Sequence, residues 1–165
     1  MPESKLVALL FDTWEDADRA FAGLDEADAL TRHDGGSAPA WTLSHMTAGV
    51  DFLINARVRQ GSVHPTLGRQ FAQFGTTGEA DDWPGIQAAV REVRAGLRAY
   101  LEPLTDADLE RLRFPATGPW PETSLRYILC RAITHHYFHI GEVASKRSRL
   151  GHRAGDFPGP LAASL

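Results

Sequence analysis

At 165 residues the chain has the size of one globular domain, which we expect to span residues 1–165 and to bury a substantial core. Hydrophobic residues make up 43% and charged residues 23% of the sequence, a composition typical of a soluble globular protein. A net charge of −4 with interspersed signs disfavours a nucleic-acid surface, and the single cysteine excludes a disulfide framework and a cysteine-rich zinc site.

Four segments show the apolar spacing of amphipathic helices, and the first two lie in the N-terminal part of the chain. The first runs over about residues 4–24 and the second over about residues 41–60, with Gly61 as its expected C-terminal stop. The connection that follows, "GSVHPTLGRQFAQFGTTGEADD", is rich in glycine and threonine and predicts a loop that can include one short helical turn. Its length indicates a crossover, a lid over a site or part of a dimer contact.

The third helix should begin near Asp82, which can cap it, with Pro84 in its first turn. A short helical turn in "TDADLERL" and a proline-rich, partly extended connection, "RFPATGPWPETS", separate it from the fourth helix over about residues 123–150. Four amphipathic helices without a strand pattern predict an all-α four-helix bundle with a long connection between helices 2 and 3. No stretch reaches about 18 apolar residues and no signal peptide is evident, so we expect a cytoplasmic protein without a membrane partner.

The fourth helix carries three histidines in the stretch "ITHHYFHIGE". His135 and His139 are spaced i, i+4, so both rings project from one face and can reach one metal ion. His45 on the second helix is the leading candidate for a third ligand. For each histidine the alternative is an ordinary packing residue with a hydrogen-bond partner. His136 points about 100° away from the other two, toward a neighbouring helix or a dimer partner.

Other residues of this helix limit the chemistry. A zinc protease helix reads HExxH, and His136 stands where the glutamate base would be, which disfavours a protease or other hydrolase. The order His139-x-x-Glu142 is the reverse of the di-iron pattern and occurs once. Glu142 either orients an imidazole or pairs with Lys146 on the helix surface. We expect Cys130 to be a buried structural thiol.

Two stretches resemble signatures of the DinB-like superfamily, a family of metal-binding four-helix bundles. "WTLSHMTAGVDFLINARVRQG" resembles its second helix, and "HHYFHIGEVASKRSRLG" resembles its last helix, with Glu142 where many members carry glutamine. The resemblance implies that His45, His135 and His139 bind one divalent metal (zinc, nickel or iron). No catalytic or thiol-binding residue follows from it.

The family also suggests two functions. It includes transferases that use low-molecular-weight thiols such as bacillithiol or mycothiol, which implies a metal-dependent S-transferase acting on a thiol and an electrophile. It also includes stress-induced members of unknown activity, which leaves a non-catalytic metal-binding bundle as the alternative and the question of catalysis open. Members commonly form homodimers. Arg57 and Arg126 are candidates for contacting a carboxylate of the thiol, but an ordinary surface cation is the favoured interpretation of each.

Overall fold

A computed structural model describes residues 2–116, 118–119 and 121–161 of the chain. The secondary structure consists of helices and one short ribbon of two antiparallel strands. In chain order the helices are α1 (Lys5–Phe21), α2 (Glu26–Leu30), α3 (Pro39–Asp51), α4 (Pro65–Phe74), α5 (Trp83–Leu101), α6 (Asp106–Arg111) and α7 (Leu125–Arg149). The strands are β1 (Arg113–Phe114) and β2 (Thr123–Ser124). The predicted all-α fold is confirmed.

The four predicted helices correspond to the four long ones, α1, α3, α5 and α7. Side-chain caps define where three of them begin: the side chains of Ser4, Asp82 and Ser124 accept hydrogen bonds from backbone N–H groups in the first turns of α1, α5 and α7. α1 packs along α7, and α3 packs against both α5 and α7. This arrangement brings α3 and α7, the two histidine-bearing helices, into contact.

The buried apolar residues of these helices form two clusters. One contains Trp14, Ile54, Leu97 and Ile128, and the other contains Phe21, Met46, Trp83 and Ile140. The first core is built around α1 and α7, so the histidine-bearing part of α7 is held on one side by a rigid, close-packed interior. No helix in the described part of the chain is long and apolar enough to span a membrane.

The connection between α3 and α5 differs from the prediction of a loop. It contains the ten-residue helix α4, which begins after the N-cap His64 with Pro65 in its first turn and ends at Gly75. α3 itself ends at Asp51 and continues as one π-helical turn over Phe52–Ala56. Such turns occur often at functional sites, because the extra residue shifts the side chains that follow. α4 and the π-helical turn together form a wall beside His45.

Candidate metal centre

Three imidazoles from α3 and α7 converge on one point. The Nε2 atom of His135 lies 3.3 Å from Nε2 of His45 and 3.2 Å from Nε2 of His139. The ligand atoms of all three lie within 4.8 Å of one another. The structure thus brings together the three histidines that the sequence singled out, and their nitrogens face each other instead of facing separate backbone partners.

The spacing of these nitrogens fits one metal ion. Tetrahedral nitrogen ligands about 2.0–2.1 Å from an ion are separated by about 3.3 Å, which matches both measured distances. Without a metal ion, hydrogen bonds among neutral imidazoles would hold these nitrogens together poorly. A single proton on Nε2 of His135 would be shared between Nε2 of His45 and Nε2 of His139. A cation accepts all three lone pairs. Three imidazole donors suit several first-row divalent ions and leave a coordination position for a further ligand.

Glu142 orients His139. Its Oε2 atom accepts a hydrogen bond from Nδ1 of His139 at 2.8 Å, which places the ring proton on Nδ1 and turns the Nε2 lone pair toward the other two imidazoles. Oε1 is bound by Nζ of Lys146 and by Oγ of Ser37, each at 2.5 Å. The hydrogen bond from His139, followed by those from Lys146 and Ser37, lowers the pKa of Glu142 to about 2 despite partial burial. Glu142 therefore orients an imidazole and also pairs with Lys146, although this pair is not on the helix surface, because Lys146 is buried.

The surroundings keep two of the imidazoles uncharged. Partial burial, and then the neighbouring His139, lower the pKa of His45. Burial, followed by the charges of His139, His45 and Arg131, lowers the pKa of His135 to about 4. Neutral imidazole is the form that binds metal ions, so these shifts favour metal binding near neutral pH.

Trp41 positions His45 and also holds α4. The indole and imidazole rings are stacked, with centroids 4.7 Å apart and planes 6° from parallel. The indole Nε1 donates to the carbonyl oxygen of Gly75, the residue that follows α4, at 3.2 Å. One side chain therefore connects a candidate ligand to the adjacent helix. The i, i+4 spacing of Trp41 and His45 is the sequence signal for this contact.

Two cavities adjoin the histidines. The larger, of about 390 Å³, has His45 at one side and is otherwise lined by apolar residues and glycines of α3, the π-helical turn, α4 and the preceding loop. The smaller, of about 190 Å³, contacts His45, His135 and Arg131. Gly49 and Phe52 contribute to both cavities, so the two meet at the imidazole cluster. A further cavity of about 530 Å³, between α1 and α5, touches none of the three histidines.

His136 lies outside the cluster, as its helical position predicted. Its side chain is buried, with 1% exposure, and its Nδ1 atom lies 2.8 Å from the carbonyl oxygen of Ala132. Burial is the largest of the effects that lower the pKa of His136 to about 3. The nearby guanidinium of Arg94 on α5 acts in the same direction. His136 therefore faces the interior of the bundle, between α7 and a neighbouring helix.

Three other residues singled out from the sequence make no contact with the histidine cluster in the interactions described below. Cys130 is exposed, so the prediction of a buried thiol was wrong. Arg57 donates to the carbonyl oxygens of Pro115 and Pro121 and so holds the connection that precedes α7. Arg126 forms an exposed ion pair with Glu110 at 3.2 Å. These contacts do not connect either arginine to the histidine cluster.

Two residues around the cluster make contacts that the sequence did not predict. Ser37 precedes α3 and donates to Glu142, so it joins the start of α3 to α7. The sequence predicts Lys146 as a surface partner of Glu142, whereas the side chain is buried and also donates to the backbone oxygen of Ser37 at 2.5 Å. Ser37 and Glu142 are 105 positions apart in the chain. No local pattern predicts such a contact.

A comparison with known protein families matches the part of the chain that contains the histidine cluster. The sequence model of the DinB superfamily matches residues 9–143, a stretch that contains all three clustered histidines and Glu142. No curated protein sequence matches the chain significantly. The match extends from α1 to the middle of the C-terminal half of α7 and therefore includes every helix that positions the cluster.

Proposed function

Because the chain belongs to the DinB superfamily, we propose that it binds one divalent metal ion through His45, His135 and His139 and transfers a low-molecular-weight thiol to an electrophile. In that reaction the sulfur bonds to an electrophilic carbon, the leaving group departs with the bonding electron pair, and the thiol proton passes to water. The observation that carries the proposal is the convergence of three Nε2 atoms at tetrahedral ligand spacing beside an apolar cavity.

Each surrounding residue has a defined part in this proposal. A divalent ion bound by the three imidazoles would lower the pKa of a thiol that reaches it and so favour the nucleophilic thiolate. Glu142 holds His139 in the tautomer that can bind the ion, and Lys146 and Ser37 hold Glu142. Trp41 fixes the ring plane of His45 by stacking. The apolar cavity lies on one side of the cluster and offers few hydrogen-bond partners there.

Elemental analysis of protein purified without an affinity tag tests the metal site. We expect about one equivalent of zinc, nickel or iron in the wild type and its loss in His135→Ala and His139→Ala, since each removes one of three donors. His136→Asn is the matched control, because it alters a histidine of the same helix that faces the interior. Full metal content in both alanine variants, or none in the wild type, would rule out the site.

Calorimetric titration tests whether the protein binds a low-molecular-weight thiol through the metal. Bacillithiol, mycothiol and glutathione are each added to metal-loaded and to metal-free protein. We expect one of the three to bind only when the metal is present, because the sulfur is the group that reaches the ion. If none of them binds to the loaded protein, transfer of these thiols is excluded while the metal site stands.

One observation favours a non-catalytic alternative. Glu142, the carboxylate in contact with the cluster, already accepts hydrogen bonds from His139, Lys146 and Ser37, so it is poorly placed to act as a general base. In this alternative the protein is a metal-binding bundle that acts in a stress response through homodimerisation or another partner. Turnover of a thiol with monochlorobimane that is abolished in His139→Ala would exclude it.

A further inference from the structure

We propose that the cavity of about 390 Å³ beside His45 is the pocket for the electrophile, and that this substrate is a small amphipathic molecule. Its alkyl or aryl group fills the cavity, and its polar, reactive end faces the three imidazoles. This inference rests on the proposed function, since it assigns the second substrate of the same site. It goes further by naming the substrate's chemical class and the residues that select it.

The lining of the cavity defines the class of ligand. Apart from His45, each lining residue is apolar or a glycine: Ala48, Gly49, Phe52, Val63, Leu67, Gly68 and Phe71. Such a surface offers no hydrogen bonds to a sugar, a phosphate or a second carboxylate, and burying those groups there would be unfavourable. The volume lies in the range of pockets that hold small organic ligands. The lining therefore selects a compact hydrocarbon or aromatic group.

The position of the cavity fixes which end of the ligand enters. His45 forms one side, and Gly49 and Phe52 also line the smaller cavity that contacts His135. A Cβ added at Gly49 would lie in ordinary van der Waals contact with the ring of His135, 3.8 Å from Cε1, so Gly49 lies directly beside that imidazole. A ligand seated in the larger cavity therefore reaches the imidazole nitrogens with only one end.

Two partly exposed phenylalanines indicate that the cavity binds something apolar. Phe52 is 42% exposed and Phe71 is 58% exposed, and both line the cavity from different helical segments. Covering these rings with a hydrocarbon group removes apolar surface from water, which is favourable. Since the cavity is concave and ends at the imidazole cluster, a small molecule that also reaches the cluster fits it better than a flat protein surface.

The walls are fixed before any ligand binds. The buried carboxylate of Asp51 accepts a hydrogen bond at 2.7 Å from the backbone N–H of His64, at the start of α4. Gln70 in the middle of α4 donates to Asp81 at 2.5 Å, and Trp41 holds the carbonyl of Gly75 at the other end. A pocket with anchored walls loses little conformational freedom on binding and can discriminate by shape.

Gly68 offers a way to fill the pocket without disturbing the metal ligands. It lies on α4 and lines the cavity, and a Cβ at this position would meet no atom within 4 Å. Gly68→Leu therefore extends a side chain into open space beside the other lining residues. Gly96→Leu is the matched control, because Gly96 is also a helical glycine with open space around its Cβ and lies on α5, outside this cavity.

Hydroxamic acids test the inference, because they keep one metal-binding head and vary only the tail. Zinc-loaded protein is titrated with acetohydroxamic acid and hexanohydroxamic acid. Each buried methylene contributes about fourfold in affinity before ordering costs, so we expect the longer compound to bind at least about tenfold more tightly. In Gly68→Leu this advantage should fall by at least about fivefold while acetohydroxamic acid binds as in the wild type. Gly96→Leu should behave as the wild type does.

The outcomes separate this inference from the proposed function. If both compounds bind the zinc-loaded protein equally well, the pocket is not a tail-binding site and the inference fails while the metal site stands. If the protein takes up no zinc, the inference and the proposed function fail together. If light scattering shows a wild-type dimer that Gly68→Leu dissociates, a second copy occupies the cavity, and the inference is likewise overturned.

Discussion

At the scale of single residues, Glu142 has two roles that different substitutions can separate. Its Oε2 atom orients His139, and its charge balances the buried ammonium of Lys146. We predict that Glu142→Gln binds zinc within a few-fold of the wild type, because an amide oxygen can still accept from Nδ1 of His139. Glu142→Ala should bind about 10–100-fold more weakly, since it removes the acceptor. Competition with a chromogenic chelator measures both.

Glu110→Gln controls for the loss of one negative charge, because Glu110 is an exposed residue paired with Arg126. It should bind zinc as the wild type does. If Glu142→Ala also retained wild-type affinity, the hydrogen bond to His139 would have no part in holding the metal, and the ring would be oriented by packing alone.

Cys130 shows what helical spacing predicts when it is applied residue by residue. Leu125, Ile128, Leu129 and Ala132 are buried, whereas Cys130 lies on the opposite face of α7. The expectation of burial came from the apolar character of the surrounding sequence. The 3.6-residue period of the buried positions would have placed the thiol outside.

We therefore predict that Cys130 of the folded protein reacts stoichiometrically with a chromogenic aromatic disulfide, without denaturant. Cys130→Ser should remove the reaction and leave the metal content unchanged, because the thiol lies apart from the three imidazoles. Labelling that requires denaturant would contradict the exposed position.

The spacing of His135 and His139 predicted their shared face from the sequence alone, since residues four apart on a helix are neighbours. The position of His45 on the second predicted helix makes it the leading candidate for the third ligand, and the family resemblance implies the complete set. No local spacing rule relates positions 90 apart. The parts played by Ser37 and Lys146 were not predictable in this way. They depend on how the start of α3 meets the C-terminal half of α7, which only the packed structure defines.

At the scale of elements, α4 was missed for a physical reason. Its glycine and the surrounding threonines and glycines lower local helix propensity, and a ten-residue helix is marginal by itself. Leu67, Phe71 and Phe74 do recur at helical spacing, with Pro65 before them and Gly75 after them. The helix forms because contacts distant in sequence hold it, and Asp51 and Trp41 supply two of these.

Asp51 should accordingly control the stability of α4. Its buried carboxylate binds the backbone N–H of His64 and the side chain of Asn55. Asp51→Ala leaves the backbone N–H of His64 without its acceptor, which destabilises the folded start of α4 by about 1–3 kcal/mol. We predict faster hydrogen exchange across residues 64–75 in this variant, measured by mass spectrometry, with α1 and α5 protected as in the wild type. Equal exchange in α4 would show that the capping His64 and packing suffice.

At the scale of the whole molecule, burial of neutral imidazoles links stability to pH. The folded chain holds His136 at a pKa of about 3 and His135 at about 4, below the ordinary value of 6.5. As pH falls below about 6.5, these histidines take up protons in the unfolded chain before they do so in the folded chain. The folded state therefore loses stability relative to the unfolded state as the pH falls from about 6.5 toward the pKa values of the folded chain. Glu142, with a pKa of about 2, adds a loss that begins only below its ordinary pKa of 4.5.

We predict that the free energy of unfolding of metal-free protein falls between pH 6.5 and 5, with His136 alone contributing on the order of 2 kcal/mol. Urea denaturation in the presence of a chelator measures it. His136→Asn removes the titrating ring while its amide can still donate to the carbonyl of Ala132, so its stability should depend less steeply on pH over this interval. The variant's stability at pH 7.5 will also fall through altered packing, so the two slopes are the quantities to compare. If stability fell equally steeply with pH in the wild type and in His136→Asn, water or a proton would reach His136 in the folded state. The interior between α7 and α5 would then be less closed than the 1% exposure of the His136 side chain indicates.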